Sequence, residues 1–170
     1  ELRTTTIRKL LPESWGFLCP IHTPDGSPCG LLNHLAGECK IVVAKTRDTD
    51  FDLVRKTVKK SLGLNFEFTN DSNHENLESL LPVLLDGLLI GSLHERDAAN
   101  AVRVLRRAKV DSSSYIPRDL EIAHVTFRKG GVYPGIYIFS SSSRLVRPVL
   151  QTSGGNVELI GTLEQSFMSI

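Results

Sequence analysis

Residues Pro12 to Leu35, P-E-S-W-G-F-L-C-P-I-H-T-P-D-G-S-P-C-G-L-L-N-H-L, constrain this chain more than any other stretch. Half of the eight Pro fall within it, with Gly16, Gly26 and Gly30, the only Trp and two of the three Cys. Turn formers at this density beside large apolar residues are not ordinary loop filler. Pro24-Asp25-Gly26 is turn chemistry: Pro presets φ, Asp bonds its own backbone, and Gly accepts positive φ. Pro28 and Gly30 stiffen and then release the chain just after it. Trp15, Phe17, Leu18 and Ile21 before the turn, and Leu31, Leu32 and Leu35 after it, are placed to clamp it to a core. The expectation is a rigid, buried loop with one backbone shape, and sites tend to sit on such loops.

Size and charge narrow the classes. The chain has 170 residues, room for one compact domain or two small ones, and 41% are hydrophobic, enough for a core. Twenty basic and 19 acidic residues leave a net charge of +1, so a nucleic-acid footprint has to be local. Cys19, Cys29 and Cys39 are odd in number and evenly spaced, unlike a disulfide framework or a zinc knuckle; reduced, partly buried thiols of an intracellular protein are expected, with no bound metal. No apolar run reaches membrane-span length and no signal peptide is visible, so no membrane partner is expected. The chain opens at Glu1, without Met and in mid-pattern, as an excised piece of something larger would.

Taken in order, Thr4, Thr5, Thr6 and Ile7 suit an extended strand or arm. Arg8 and Lys9 read as a solvated basic turn. Lys40 to Lys45 reads as a buried strand. Thr49, Asp50 and Asp52 signal a helix start; Val54, Val58 and Leu62 form its apolar stripe, Leu53 widens it, and Gly63 ends it. Arg55, Lys56, Lys59 and Lys60 lie off the stripe as a solvated face. Residues 65–79 are polar loop, with Phe66 and Phe68 anchoring its start. Leu81 to Leu85, Asp86-Gly87 and Leu88 to Leu93 are a hairpin signal. A second helix spans Arg96 to Lys109, with Ala98, Ala101, Val102 and Leu105 on one face and Arg103, Arg106, Arg107 and Lys109 in its last two turns. His94 and Glu95 at its start are structural. Strands follow over Asp119 to Arg128, over Val132 to Phe139 (with a bulge or an edge at Pro134-Gly135), over Arg144 to Leu150 and over Val157 to Thr162. Leu163 to Ile170 opens a helix. The fold class is α+β: mixed, mostly antiparallel strands with two main helices.

R-K-L-L-P-E-S-W-G-F-L-C-P-I-H-T-P-D-G-S-P-C-G-L-L resembles the fork-region motif of the second-largest subunit of multisubunit DNA-directed RNA polymerases, with spacing intact. Trp15, Gly16, Cys19, Pro20, Thr23, Pro24 and Gly30 are its structural positions. His22 and Asp25 depart from the commoner acidic residue and Glu, and with G-L-L-N-H-L they make the stretch most similar to the polymerase I form. R-L-V-R-P-V at Arg144 to Val149 resembles a second segment of the same subunits, in family order. The resemblance divides the chain into residues 1–42, the end of the fork with its loop; 43–150, an external 1-like α+β domain; and 151–170, the start of an external 2-like region. It implies that Arg8, Asp25, Gly26 and Ser27 support the active centre near the RNA 3′ end and the mobile trigger loop. It also implies as partners the largest and other polymerase subunits, the RNA–DNA hybrid and template DNA, and a location in the nucleus and nucleolus.

The residues show no G-x-S-x-G, Walker A, H-E-x-x-H or kinase set, and no triad spacing. Nucleotidyl transfer needs a carboxylate cluster for two metals. The Asp and Glu here are scattered, so no catalytic residue is assigned to the chain alone. The resemblance puts the parent enzyme's Mg²⁺ mainly in the largest subunit, and Asp25 is not a metal ligand on this reading. Two other classes stay open: a scaffold or interaction module, and a free-standing nucleic-acid binder using the two basic helices. The equivalent part of polymerase II or III is the alternative within the family.

Overall fold

The computed structural model describes residues 4–43, 51–63, 80–126, 129–152 and 154–168. In chain order the elements are β1 (Lys40–Ile41), α1 (Phe51–Leu62), β2 (Leu80–Leu85), β3 (Leu88–His94), α2 (Glu95–Val110), β4 (Glu121–Val125), β5 (Gly135–Phe139), β6 (Leu145–Leu150), β7 (Val157–Gly161) and α3 (Thr162–Ser166). Two single-turn 3-10 segments, Thr6–Arg8 and Pro12–Ser14, precede them. The α+β class with mostly antiparallel strands and two main helices is the one the sequence pattern predicts. The helix-start residues Thr49 and Asp50, the polar stretch 65–79 with Phe66 and Phe68, and Phe127 and Arg128 lie outside the described residues.

The larger sheet has the order β3-β2-β5-β4, and only β2 and β5 run parallel. Asp86 and Gly87 turn its hairpin with φ of 47° and 84°, the left-handed pair that a type I′ turn needs. The Asp86 carboxylate then accepts hydrogen bonds from the backbone of Ser140 (2.8 Å) and Ser141 (3.2 Å), tying the hairpin to the end of β5. Val54, Val58 and Leu62 of α1 and Ala98, Val102 and Leu105 of α2 pack with Leu81, Val83, Leu85, Ile90, Ile122, Ile136 and Ile138. The helical spacing read from the sequence places these six helical residues on the sheet. Leu53 is exposed instead, because it lies on the shoulder of the stripe.

Other expectations change. Thr6–Arg8 is a 3-10 turn, not an extended arm, and its last N–H, that of Arg8, bonds Thr5 O at 3.1 Å. The strand at Lys40 is two residues long and only Val42 beside it is buried; among the described residues Ile41 and Val43 are exposed. Residues 44–45 are outside the described residues. Pro134-Gly135 marks neither a bulge nor an edge: β5 begins at Gly135 and is central, between β2 and β4. A Cβ at Gly135 would stand 3.0 Å from Pro82 O, so the glycine lets β5 approach β2.

The smaller sheet, β1-β6-β7, gathers strands from residues 40–41, 145–150 and 157–161. It joins the larger one through charge. Lys109 and Arg106 of α2 turn inward rather than forming a basic outer face. Lys109 Nζ lies 2.8 Å from Glu158 Oε1 of β7, and Arg106 Nη2 lies 2.7 Å from Glu164 Oε1 of α3. Both also donate to backbone carbonyls on the outer edge there, Lys109 to Leu120 O, just before β4 (3.0 Å), and Arg106 to Ile122 O of β4 (3.1 Å). An edge strand offers unpaired carbonyls to any passing chain, and these two cations cap those along this one. Glu121 of β4 reaches the other way, accepting from the N–H groups of Leu163 (2.9 Å) and Glu164 (3.2 Å) at the start of α3.

His124 of β4 is half-buried and its Nε2 has no hydrogen-bond partner. Burial holds its pKa below the usual value; Glu95 opposes that shift, and Lys129 and Arg106 add to it. The native state therefore binds a proton less readily than the unfolded chain. Its contribution to stability is present above the unfolded pKa of about 6.5 and is lost as pH falls through the lower folded value. Urea unfolding should show the native chain losing more stability than His124→Gln between pH ~7.5 and ~5. Parallel losses in the two proteins would refute this assignment.

Candidate functional site

The candidate site is the loop from Thr23 to Gly30, and its shape is held by polar braces. Arg8, at the end of the first 3-10 turn, donates from Nη1 to Ser27 O and to Cys29 O, both at 2.7 Å. Thr23 Oγ1 donates to Leu32 O and accepts from Gly30 N–H, both at 2.9 Å. Cys29 N–H returns to Gly26 O at 3.1 Å, closing the turn. Gly26 and Gly30 have φ of +79° and +75°, a region that glycine enters without a steric penalty. Gly30 is also crowded: a Cβ there would stand 2.5 Å from Arg8 O. So Arg8, read from the sequence as part of a solvated basic turn, spends Nη1 on two backbone carbonyls and shapes the loop.

Asp25 is at the exposed tip. Among the described residues it accepts no hydrogen bond and enters no ion pair, so its carboxylate faces solvent uncommitted. Ser27 is exposed beside it, and Pro24 is half-buried before it. At the loop base, Cys19 N–H donates to His34 O (2.8 Å) and Ala36 N–H to Phe17 O (2.9 Å). The His22 and His34 rings stack with centroids 3.6 Å apart. Pro20 is exposed, following Cys19 into the loop. Backbone hydrogen bonds from Ile21 and His22 hold the Cys19 thiol below its usual pKa. All three thiols are free, and Cys29 is exposed rather than partly buried.

The expected burial of this stretch fails. Phe17 is buried at 1% exposure, whereas Trp15 is 62% exposed and Ile21 85%; Leu31, Leu32 and Leu35 are exposed too. Apolar spacing cannot say which surface a residue faces, and here the core lies between the larger sheet and its helices. The segment is instead fastened by Phe17 and by polar contacts. Arg147 of β6 stacks its guanidinium 5.9 Å from the Phe17 ring centroid. Gly16 has φ +79°, and a Cβ there would stand 2.6 Å from Arg147 Cδ. Arg147 Nε donates to Gln165 Oε1 (2.6 Å), and Gln165 Nε2 donates to Glu13 O (3.0 Å) and Trp15 O (2.9 Å). The two stretches that carry the sequence resemblance thus meet at Gly16, Phe17 and Arg147. Gln165 had no sequence signal, since a lone Gln in a polar helical turn is unremarkable.

Among the described residues no group of three or more His, Cys, Asp or Glu side chains could hold a metal ion, and no helix is long and apolar enough to cross a membrane. The family model described as RNA polymerase Rpb2, domain 3, matches residues 1–41, and that described as RNA polymerase I, Rpa2 specific domain, matches residues 90–147. The chain is 45% identical over 182 residues to DNA-directed RNA polymerase I subunit 2 of Arabidopsis thaliana, covering 99% of this chain and 15% of that protein. It is 44% identical over 170 residues to DNA-directed RNA polymerase I subunit RPA2 of Neurospora crassa, covering 100% of this chain and 13% of that protein. For the Mus musculus subunit RPA2 the identity is 43% over 171 residues, covering 100% of this chain and 14% of that protein. The chain thus spans only 13–15% of the length of these relatives. Two family matches in chain order, one on the braced loop and one from β3 into β6, with similarity running from end to end, make this chain a member of the RNA polymerase I second-subunit family.

Proposed function

We propose that the chain acts in template-directed RNA synthesis, as the part of the RNA polymerase I second subunit whose Thr23–Gly30 loop lies near the RNA 3′ end and the mobile trigger loop. Its partners on this reading are the largest and other polymerase subunits, the RNA–DNA hybrid and template DNA, in the nucleus and its nucleolus. Residues 1–42, 43–150 and 151–170 serve as the end of the fork, an external 1-like domain and the start of an external 2-like region. Among the described residues no cluster fits a metal site. On this reading, which rests on the resemblance, the Mg²⁺ of the parent enzyme is held mainly by the largest subunit, and no step is assigned to it on this chain. Nucleotidyl transfer belongs to the assembled enzyme.

One observation carries the reading: a carboxylate held at the tip of a braced loop with nothing to pair with among the described residues. Arg8, Thr23 and Gly30 fix the backbone, so Asp25 is not needed to shape it. Such a group offers a charge-assisted acceptor to a basic side chain or backbone donors on a moving partner. Asp25→Ala should slow single-nucleotide addition by the assembled enzyme about tenfold, through loss of roughly 1.4 kcal/mol from a minor closed state. Asp25→Glu keeps the charge and should be milder. The melting temperature of both preparations should stay that of the native enzyme. Unchanged addition with a clear drop in melting temperature would return Asp25 to a structural role. The inward turn of Arg106 and Lys109 weakens the alternative of a free-standing nucleic-acid binder.

A further inference from the structure

We propose that Gln165 and Arg147 are positioning residues: together they latch the base of the Thr23–Gly30 loop to α3 and β6, so that the placement of the loop is set by α3. Gln165 is the joint. Its carbonyl end accepts Arg147 Nε at 2.6 Å while its amide end donates to Glu13 O and Trp15 O at 3.0 and 2.9 Å. One side chain thereby fixes the orientation of another and captures two backbone carbonyls on either side of Ser14. Arg147, so oriented, lies over Phe17 and fills the space at Gly16 that any side chain would occupy. Phe17 and Cys19 then carry the backbone bonds to Ala36 and His34 that close the loop base.

The other end of the chain of contacts is held by several polar bonds. α3 is one short helix of five residues and owes its placement to carboxylates. Glu121 accepts the N–H groups of Leu163 and Glu164, and Glu164 Oε2 accepts Gly161 N–H at 3.2 Å. Glu164 is itself paired to Arg106 of α2. Gln165 follows Glu164 directly, so a displacement of α3 against α2 moves the donors that hold Glu13 and Trp15. The Gln165 amide thereby links α3, and through Glu164 the α2 helix, to the backbone at Glu13 and Trp15.

The Gln165 amide is the testable part, because Glu is nearly the same shape and lacks the donor. Trp15 is the only Trp of the chain and reports on the latched segment. In the 170-residue chain, Gln165→Glu and Gln165→Ala should both lower Trp15 fluorescence anisotropy. Both should also speed amide exchange at Cys19 and Ala36 about tenfold, with β2 and β5 amides unchanged. Gly16→Ala releases the latch from the opposite side without touching α3 and should give the same pattern, which covers the case in which the α3 variants fail to fold. Native anisotropy and exchange in Gln165→Glu would overturn the proposal, as would release in none of the three. The link to catalysis rests on the polymerase reading above and has its own arm. Nucleotide addition by the assembled enzyme carrying Gln165→Glu should slow in step with the exchange. Release of the latch with unchanged addition would leave the latch standing and refute the role of the loop.

Discussion

Replacing Lys109 with Met should destabilise the chain by about 3–5 kcal/mol, the range expected when one partner of a buried ion pair is removed. Lys109 is 1% exposed, and its ammonium lies 2.8 Å from Glu158 Oε1 and 3.8 Å from Glu164 Oε1. Arg106 and Lys109 balance Glu158 and Glu164. Without Lys109 the two carboxylates share a single guanidinium, and the contact of that group with Glu164 is coulombic rather than a well-aligned hydrogen bond. The carbonyls of Leu120 and Leu159 lose a donor as well. Met fills the volume, so packing is a small part of the loss. Lys56→Met, on the exposed face of α1, should change stability by no more than about 0.5 kcal/mol. Adding Glu164→Gln to Lys109→Met restores neutrality and should recover part of the loss, which a double-mutant cycle in urea would measure.

Raising the pH should separate the two proteins further. Burial pushes the Glu164 carboxyl above its ordinary pKa; Lys109 and Arg106 pull it back and Glu158 adds to the rise. The native state therefore takes up this proton more readily than the unfolded chain. The associated stability is present below the unfolded value of about 4.3 and is lost as pH rises through the folded one. Removing Lys109 raises the folded value again, so the deficit of Lys109→Met should widen as pH rises through that window. An effect below about 1 kcal/mol at neutral pH would show that the cluster is solvated in solution and carries little.

The second large effect is expected at Gly30. An Ala there adopts left-handed backbone at roughly 1–2 kcal/mol, and its Cβ meets Arg8 O at 2.5 Å. Backbone crowding of this kind costs about 1–3 kcal/mol more. The loop lies outside the core, so the strain is relieved by letting go of Arg8 rather than by unfolding the sheets. Protection of the Cys29 and Leu31 amides should then fall by about 10²-fold or more, while the melting temperature changes little. Gly26 offers the control. Its φ is +79°, but a Cβ there would meet nothing within 4 Å. Gly26→Ala bears only the conformational part and should loosen the loop far less. Equal effects at the two glycines would remove the close approach of Arg8 from the account. In the assembled enzyme Gly30→Ala should slow nucleotide addition at least as much as Asp25→Ala does, since it displaces the whole tip.

By itself the sequence determined the local units of this protein. Asp86-Gly87 between apolar runs specified the hairpin, and apolar residues at helical spacing specified the buried faces of α1 and α2. Pro24-Asp25-Gly26 specified a turn, and the W-G-F-x-C-P and R-L-V-R-P-V stretches specified the family. These signals are legible because they depend on neighbours within a few residues, through φ preferences and side-chain period. Tertiary structure alone decided where charged and apolar groups point. Arg106 and Lys109 look in the sequence like the solvated end of a basic helix, and only their counter-charges on Glu158 and Glu164, some fifty residues away, turn them inward. Trp15, Ile21 and Leu32 look like core and are exposed, because no described element covers that side of the loop. Arg8 looks like part of a solvated basic turn and braces Ser27 and Cys29, a role set by where the chain returns after the turn. Gln165 carries no pattern at all: its function is a pair of hydrogen bonds to Glu13 and Trp15, and such bonds exist only once the two ends of the chain have been brought together.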